Sequence, residues 1–225
     1  MQQEQIEEFD QKPSTGWRVV RGAVALVVAM GLIYISGVYQ YFFFQRTSPE
    51  ITQEQTQTAI DAQMITIPLT IFIVQNNQAY GSKRDQQDVL RLVREAAKIW
   101  QQANIALEIQ EIYTVQKSDR QIEVLYRDAN QFARDLGGLE SSTVNVVLVG
   151  SLQGLNGVSF GGVPMVAVAD YTTVYDFRVL AHEIGHRLGL PHVQNESRLM
   201  HQGANSFDLS LPEITTAREF AEGFK

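Results

Sequence analysis

Three of the four histidines in the sequence lie within eleven residues, 182–192, which read His-Glu-Ile-Gly-His-Arg-Leu-Gly-Leu-Pro-His. On a helix, His182 and His186 project from the same face one turn apart, so their imidazoles can bind a single metal ion. Glu183, beside the first histidine, can reach a water molecule on that metal. The spacing therefore predicts a helix that carries two metal ligands and an acid–base group.

The residues after this helix predict a third ligand. Gly189 tolerates the left-handed backbone conformation that ends helices, and Pro191 cannot continue one. The chain is therefore expected to turn and to bring His192 back towards the first two histidines. Three protein ligands and an open fourth position are typical of catalytic zinc rather than of structural zinc.

Residues 182–200 resemble the zinc signature of the metzincin metalloproteases, H-E-x-x-H-x-x-G-x-x-H followed by a turn that contains a methionine. Met200 follows His192 by eight residues, and the pair Leu199–Met200 looks like the matrixin branch of these enzymes. The resemblance implies one catalytic zinc ion, bound by His182, His186 and His192. Glu183 is then the general base of a zinc metalloendopeptidase, which hydrolyses a peptide or protein substrate with zinc-activated water.

The sequence departs from the matrixin pattern in several places. His201 and Gln202 stand where matrixins commonly have tyrosine and proline, so no tyrosine ligand is expected there, and His201 is interpreted as structural or solvent-exposed. Cysteine is absent from the sequence, so it contains neither the latency cysteine of matrixins nor the extra cysteines of archaemetzincins. His201 alone cannot supply a second, structural zinc site. Calcium is common in matrixins, and Asp170 with the glycine-rich segment 154–162 is the candidate site for it.

Arg178 precedes His182 by four residues. In matrixins this position can line the base of the pocket that accepts the residue after the cleaved bond, so Arg178 could shorten that pocket. The alternative interpretation is a solvated residue on the helix surface.

Composition excludes some classes of protein. The 225 residues carry a net charge of −7 and no cluster of lysine and arginine, which argues against a nucleic-acid partner. The chain is 44% hydrophobic and 19% charged, so it can bury a core.

The amino-terminal part contains a candidate membrane anchor. Residues 22–44 are apolar apart from Ser36 and Gln40 and carry no charge. Twenty-three residues at about 1.5 Å each are enough to cross a hydrocarbon core of roughly 30 Å. A cleaved signal peptide would have a shorter apolar core and small residues at its end, and a buried core helix is usually shorter and polar on one side. An uncleaved anchor in contact with membrane lipid is therefore favoured.

Positive charge beside the anchor predicts its orientation. Lys12, Arg18 and Arg21 precede the apolar run, while Arg46 alone follows it closely. The positive-inside rule then predicts a single-pass membrane protein with a cytoplasmic amino terminus and an extracytoplasmic catalytic domain. The expected organisation is a cytoplasmic tail (1–18), a transmembrane anchor (19–44), a polar stalk (45–63) and a catalytic domain (64–225).

Hydrophobic patterning within the last region predicts an α/β (α+β) metzincin-like domain with a small, mixed, twisted sheet. Strands are expected at 65–74, 105–115, 144–149 and 165–169, and helices at 85–103, 128–136, from Asp176 onward, and at 211–220. Pro68 predicts an edge position or a bulge in the first strand. Residues 154–162 contain four glycines and are interpreted as a loop or an irregular edge.

Two other functions are compatible with the motif. A membrane-tethered binding module could keep zinc for structure alone, without turnover. A zinc amidohydrolase could act on a non-peptide substrate. The sequence leaves the oligomeric state open.

Overall fold

The computed structural model describes residues 63–76 and 80–224. The predicted tail and anchor, and all of the stalk except Gln63, lie outside the described residues. Among the helices in the described part of the chain, none has the length and apolar character needed to cross a membrane.

The described chain forms a mixed α/β domain. Its elements are, in order, β1 (Ile65–Gln75), α1 (Gln86–Trp100), β2 (Ile105–Gln116), α2 (Asp119–Arg127), α3 (Ala129–Asp135), β3 (Val144–Val149), β4 (Gly157–Phe160), β5 (Met165–Ala169), α4 (Asp176–Arg187) and α5 (Leu211–Ala221). Short 3-10 helices follow α1 and α5, at Gln101–Ala103 and Glu222–Phe224. The expected strand and helix positions at 144–149, 165–169 and 211–220 agree with these bounds to within one residue.

The five strands form one sheet in the order β2-β1-β3-β5-β4. Strands β2, β1, β3 and β5 run parallel to one another, and β4 pairs antiparallel with β5. β4 is therefore an edge strand that leaves one side of its backbone unpaired within the sheet. The crossover from β1 to β2 contains α1, whereas β3 is connected to its parallel neighbour β5 through the edge strand β4.

The irregularity that Pro68 suggests lies in the pairing of β1 with β2. A register shift lies between Leu69 and Thr70, which pair with Ile109 and Glu111, so the extra residue is Gln110 on β2 rather than a residue of β1. The strand is not at an edge, because it pairs with both β2 and β3. The pairing with β3 begins only at Leu69, so the proline, which has no N–H group to donate, lies before that ladder starts.

Both faces of the sheet are buried. Alternate residues of β1, from Ile65 to Ile73, face a core shared with α1, α4 and α5. Phe72 and Val74 face a second core that contains residues of α2 and α3. Helix α4, which carries the predicted motif, therefore packs in the larger core, where a rigid sheet supports it.

One helix, α2, was not predicted, and two of its nine residues, Ile122 and Leu125, are buried. Strand β4 lies inside the segment interpreted as a loop or irregular edge, which confirms the edge alternative.

Candidate metal centre

Helix α4 is held at its start by an ion cluster. Arg84 is buried and donates through Nε to Asp170 (3.0 Å) and through Nη1 to Asp176 (2.8 Å), the first residue of the helix. Arg91, on α1, also reaches Asp176 (3.2 Å). Burial raises the pKa of Asp176, but hydrogen bonds from both arginines outweigh it and leave that pKa below its ordinary value. The cluster fixes α4 to the end of β5 and to α1.

The end of α4 forms the turn that the sequence predicts. Gly189 has φ +78°, and the N–H groups of Gly189 and Leu190 donate to the carbonyls of His186 (3.2 Å) and Gly185 (2.9 Å). This pair of bonds is the Schellman arrangement, which satisfies carbonyls left free at a helix end. The turn sends the chain back towards α4, so that His192 lies beside the two helical histidines.

The structure brings the three predicted ligands together. Nε2 of His192 lies 3.2 Å from Nε2 of His182 and 3.0 Å from Nε2 of His186. One ligand atom from each of the three residues lies within 4.8 Å of the others. The three imidazoles therefore surround one point.

Two backbone carbonyls determine which ring nitrogens face that point. Nδ1 of His182 lies 2.8 Å from the oxygen of Leu199, and Nδ1 of His186 lies 2.8 Å from the oxygen of Leu190. A carbonyl oxygen only accepts hydrogen bonds, so each Nδ1 carries the proton and each Nε2 has a free lone pair. Orientation of metal-binding histidines by such bonds is usual in metal sites.

The imidazoles are neutral at physiological pH. Burial lowers the pKa of His182 to about 2 and that of His192 to about 4, with a further lowering by neighbouring charged groups. Burial also lowers the pKa of His186. Metal ligation requires unprotonated imidazole, so protons compete little for these nitrogens near neutral pH.

These residues fit a zinc ion. Zn–N distances of about 2.0–2.1 Å in a tetrahedral site place ligand nitrogens roughly 3.3 Å apart, close to the separations around His192. Three nitrogen lone pairs that face one another repel, and a cation between them removes that repulsion. The donor set, three imidazoles without thiolate, is one that zinc accepts.

Glu183 lies beside this cluster with an unusual environment. It is 7% exposed, and within the described residues its carboxyl group makes no hydrogen bond or ion pair. Burial raises the pKa of Glu183 to about 8, against a smaller lowering by the charge of Arg178. A buried carboxyl without a partner is costly to keep and is often found at functional sites.

Met200 lies beneath the metal-binding helix, fully buried in the core. A Cβ atom added at Gly185 would lie 2.5 Å from Sδ of Met200, so the glycine between the two helical histidines allows the methionine to approach. The main chain of the turn also returns to the site, because Val193 N–H donates to the carbonyl of Met200 (3.2 Å). The structure thus gives the predicted methionine turn a specific packing partner.

Arg178 is not a solvated residue. It is 3% exposed, and its guanidinium donates to the carbonyls of Leu199 (2.6 Å) and Ser206 (3.4 Å) and to that of His201. Leu199 and His201 flank Met200, so Arg178 links α4 to both sides of the methionine turn. Burial lowers the pKa of Arg178, and the charge of Glu183 acts in the opposite direction.

The candidate calcium residue has other partners. Oδ1 of Asp170 accepts from Ser82 Oγ (2.8 Å) and Arg84 Nε (3.0 Å), and its Oδ2 accepts from Lys83 N–H (2.6 Å). Both oxygens are therefore occupied by donors, and the described residues give no support for calcium. His201 is half-buried, and its backbone carbonyl, rather than its ring, contacts Arg178.

Sequence reasoning missed the two leucine carbonyls and the arginine contacts. Backbone oxygens leave no signal in residue identity, so Leu190 and Leu199 could not be predicted as partners of the histidines. The position of Arg178 was considered, but its bonds reach residues 21 to 28 positions later in the chain.

Three imidazoles converge beside a buried carboxyl, two of them on a helix packed against a mixed sheet and the third after the turn that ends this helix. This arrangement defines a zinc metallopeptidase-like domain. The sequence matches the family model of the matrixins over residues 68–213. The chain therefore belongs to the matrixin family.

Among solved structures, the chain is similar to a chain from the structure of a chaperone–substrate complex and to archaemetzincin from Methanopyrus kandleri. The first is 13% identical, with a TM-score of 0.49, over 72% of this chain and 36% of that chain. This chain thus spans about a third of the length of that relative. Archaemetzincin is 14% identical, with a TM-score of 0.44, over 70% of this chain and 95% of that chain. A comparison with curated proteins finds no match.

Proposed function

We propose that this matrixin is a zinc-dependent endopeptidase in which His182, His186 and His192 bind the metal and Glu183 is the general base. The observation that carries the proposal is a buried, unpartnered carboxyl next to three neutral imidazoles that converge on one point. Neither feature contributes to holding the fold together, since the nitrogens repel and the carboxyl is desolvated. Both are explained by a site that binds a cation and moves a proton.

Each residue has a separate task in this proposal. The histidines hold the metal, and the carbonyls of Leu190 and Leu199 keep Nε2 of two of them aimed at it. Zinc, when bound, supplies a Lewis acid that makes a water molecule acidic near neutral pH and polarises the substrate carbonyl. The charge of a bound cation favours the carboxylate form of Glu183 over the protonated form of the metal-free site. Glu183 would then take the proton of the attacking water and pass it to the nitrogen of the leaving amine.

Strand β4 is the proposed docking site for the substrate backbone. It is an edge strand, and its four residues are half-buried. An extended peptide can add to such an edge through main-chain hydrogen bonds, which tolerate many side chains. The contact of Gly157, in this strand, with the Glu183 side chain would then put the peptide near the base.

The test compares zinc content and cleavage of a peptide library by the full chain and its Glu183→Ala variant. Glu196→Ala is the matched control, because Glu196 is an exposed glutamate near the same turn. We expect one zinc per chain in all three proteins and cleavage by the unmutated chain and the control only.

Each contrary result has a meaning. Zinc without cleavage in the unmutated chain would contradict the endopeptidase and favour the binding module. Hydrolysis of small amides but not of peptides would favour the amidohydrolase. Turnover by Glu183→Ala near that of the unmutated chain would remove the base from the proposal.

The proposal includes a membrane location, for which the support is the sequence alone. Residues 22–44 carry no charge, and the charges around them favour a cytoplasmic amino terminus. We expect the full chain to stay with membranes in alkaline carbonate, and a chain without residues 1–46 to be released. Protection of the carboxy-terminal domain from protease added to the cytoplasmic side would support the orientation, and digestion there would contradict it.

A further inference from the structure

Strand β4 crosses α4 at a residue that has no side chain. A Cβ atom built on Gly157 would lie 2.5 Å from Cγ1 of Val179, 2.9 Å from Cγ of Glu183 and 3.0 Å from Oε1 of Glu183. Real Cβ atoms are essentially never closer than about 3.0 Å to another heavy atom, since repulsion rises steeply below the contact distance of about 3.5 Å. Any other residue at this position must displace the strand, the valine or the glutamate.

The conformation of the strand does not require glycine here. Gly157 is not among the glycines with positive φ, so another residue could adopt its backbone angles. Glycine weakens the interior of a strand and often marks a place where another group approaches closely. The group that approaches Gly157 is the side chain of Glu183, together with Val179 one turn earlier on α4.

This contact limits where the Glu183 carboxyl can lie. Within the described residues the carboxyl has no hydrogen bond or ion pair to orient it, so packing must do so. On one side that packing is the main chain of β4 at Gly157. The same strand is the edge to which a substrate backbone would add.

We propose that Gly157 is a positioning residue for Glu183: by lacking a side chain it lets edge strand β4 set the place of the carboxyl relative to a peptide bound along that strand. The inference rests on the proposed function, because it assumes that Glu183 is the base. It adds a residue outside the motif that helps to position the base, 26 positions before Glu183 and on a different element.

The test uses four variants of the full chain: Gly157→Ala, Val179→Ala, the double variant, and Gly161→Ala. Gly161 is the matched control, since it follows the same strand, has no positive φ, and a Cβ there meets nothing within 4 Å. The measurements are kcat, KM, zinc affinity, melting temperature and a crystal structure of Gly157→Ala.

We expect Gly157→Ala to lower kcat by about 100-fold, the size of effect that follows a misplacement of about 1 Å at a reacting group. KM and zinc affinity should change little, and Gly161→Ala should match the unmutated chain. Removing the valine methyl groups relieves one clash but not the contact with Glu183. The added alanine should therefore lower the melting temperature less in the Val179→Ala chain than in the unmutated chain, while kcat stays low.

The crystal structure should show the Glu183 carboxyl moved from its place against β4. An unmoved carboxyl with a shifted strand would overturn the inference, as would a kcat that recovers together with the melting temperature in the double variant. If the unmutated chain binds zinc and cleaves nothing, the proposed function fails. The position of Glu183 in the Gly157→Ala crystal structure still decides the inference about packing.

Discussion

Replacing Glu183 by glutamine should stabilise the zinc-free protein, and the gain should grow with pH. Burial raises the pKa of Glu183 from the ordinary 4.5 to about 8. Between these values the folded protein retains a proton that the unfolded chain has released, so stability falls as pH rises across this window. Each pH unit corresponds to about 1.4 kcal/mol, which sets an upper limit of about 5 kcal/mol to the loss at pH 8 and above. Glutamine is neutral throughout and removes that loss.

The assay is urea unfolding of both proteins in the presence of a chelator, at intervals from pH 5 to pH 9. The free energy of unfolding of Glu183→Gln minus that of the unmutated chain should be small or negative at pH 5 and rise by several kcal/mol towards pH 9. His182 and His192 titrate within this range in the unfolded chain, but that contribution is common to both proteins and cancels in the difference. Glu196→Gln, at an exposed position, should show no such rise. A difference that does not depend on pH would refute the inference that Glu183 is buried and protonated.

Three further substitutions test the packing around the site, each by urea unfolding. Gly185→Ala adds a Cβ 2.5 Å from Sδ of Met200. Overpacking costs about 1–3 kcal/mol and helix propensity returns about 1, so we expect a net loss of up to about 2 kcal/mol, and a more stable variant would contradict this packing. Gly185→Ala should cost less when Met200→Ala is already present than in the unmutated chain. Asp176→Asn should destabilise the protein at pH 7, because the pKa of Asp176 is held below 3.8 in the folded state. The loss of stability should be present above about pH 4 and shrink as pH falls below 3.8. An equal loss at pH 7 and pH 3 would count against the ion pairs. Arg178→Met removes the donor from buried carbonyls, and each carbonyl left without a donor costs about 1–3 kcal/mol. We therefore expect the substitution to lower the free energy of unfolding by several kcal/mol, whereas replacing a solvated arginine would change it almost not at all.

Local sequence was sufficient to predict the metal-binding helix and its end. The period of a helix determines that His182 and His186 share a face, and Gly189 ends it through its own φ. Local sequence also carried an unused signal for α2, because Ser118 and Gln121 form a capping box there. That signal could have predicted the helix.

The parts that could not be predicted depend on contacts between distant segments. Strand β4 forms by pairing with β5, and a glycine-rich segment has little strand propensity of its own. Arg178 could be read as a pocket residue or a solvated one, and only the path of the turn at residues 199–206 decides between them. The same holds for Gly157, whose neighbour Glu183 lies on another element.

The hydrogen bonds of the site explain why the motif also contains Gly189 and Met200, which are not metal ligands. The turn at Gly189 both ends α4 and places the carbonyl of Leu190 on Nδ1 of His186. The methionine turn places the carbonyl of Leu199 on Nδ1 of His182, and Arg178 binds that same carbonyl. Each helical histidine is thus set in the metal-ready tautomer by a turn that follows α4 in the chain. A helix with the same two histidines but without these turns would present the ligands and leave their ring orientation unfixed.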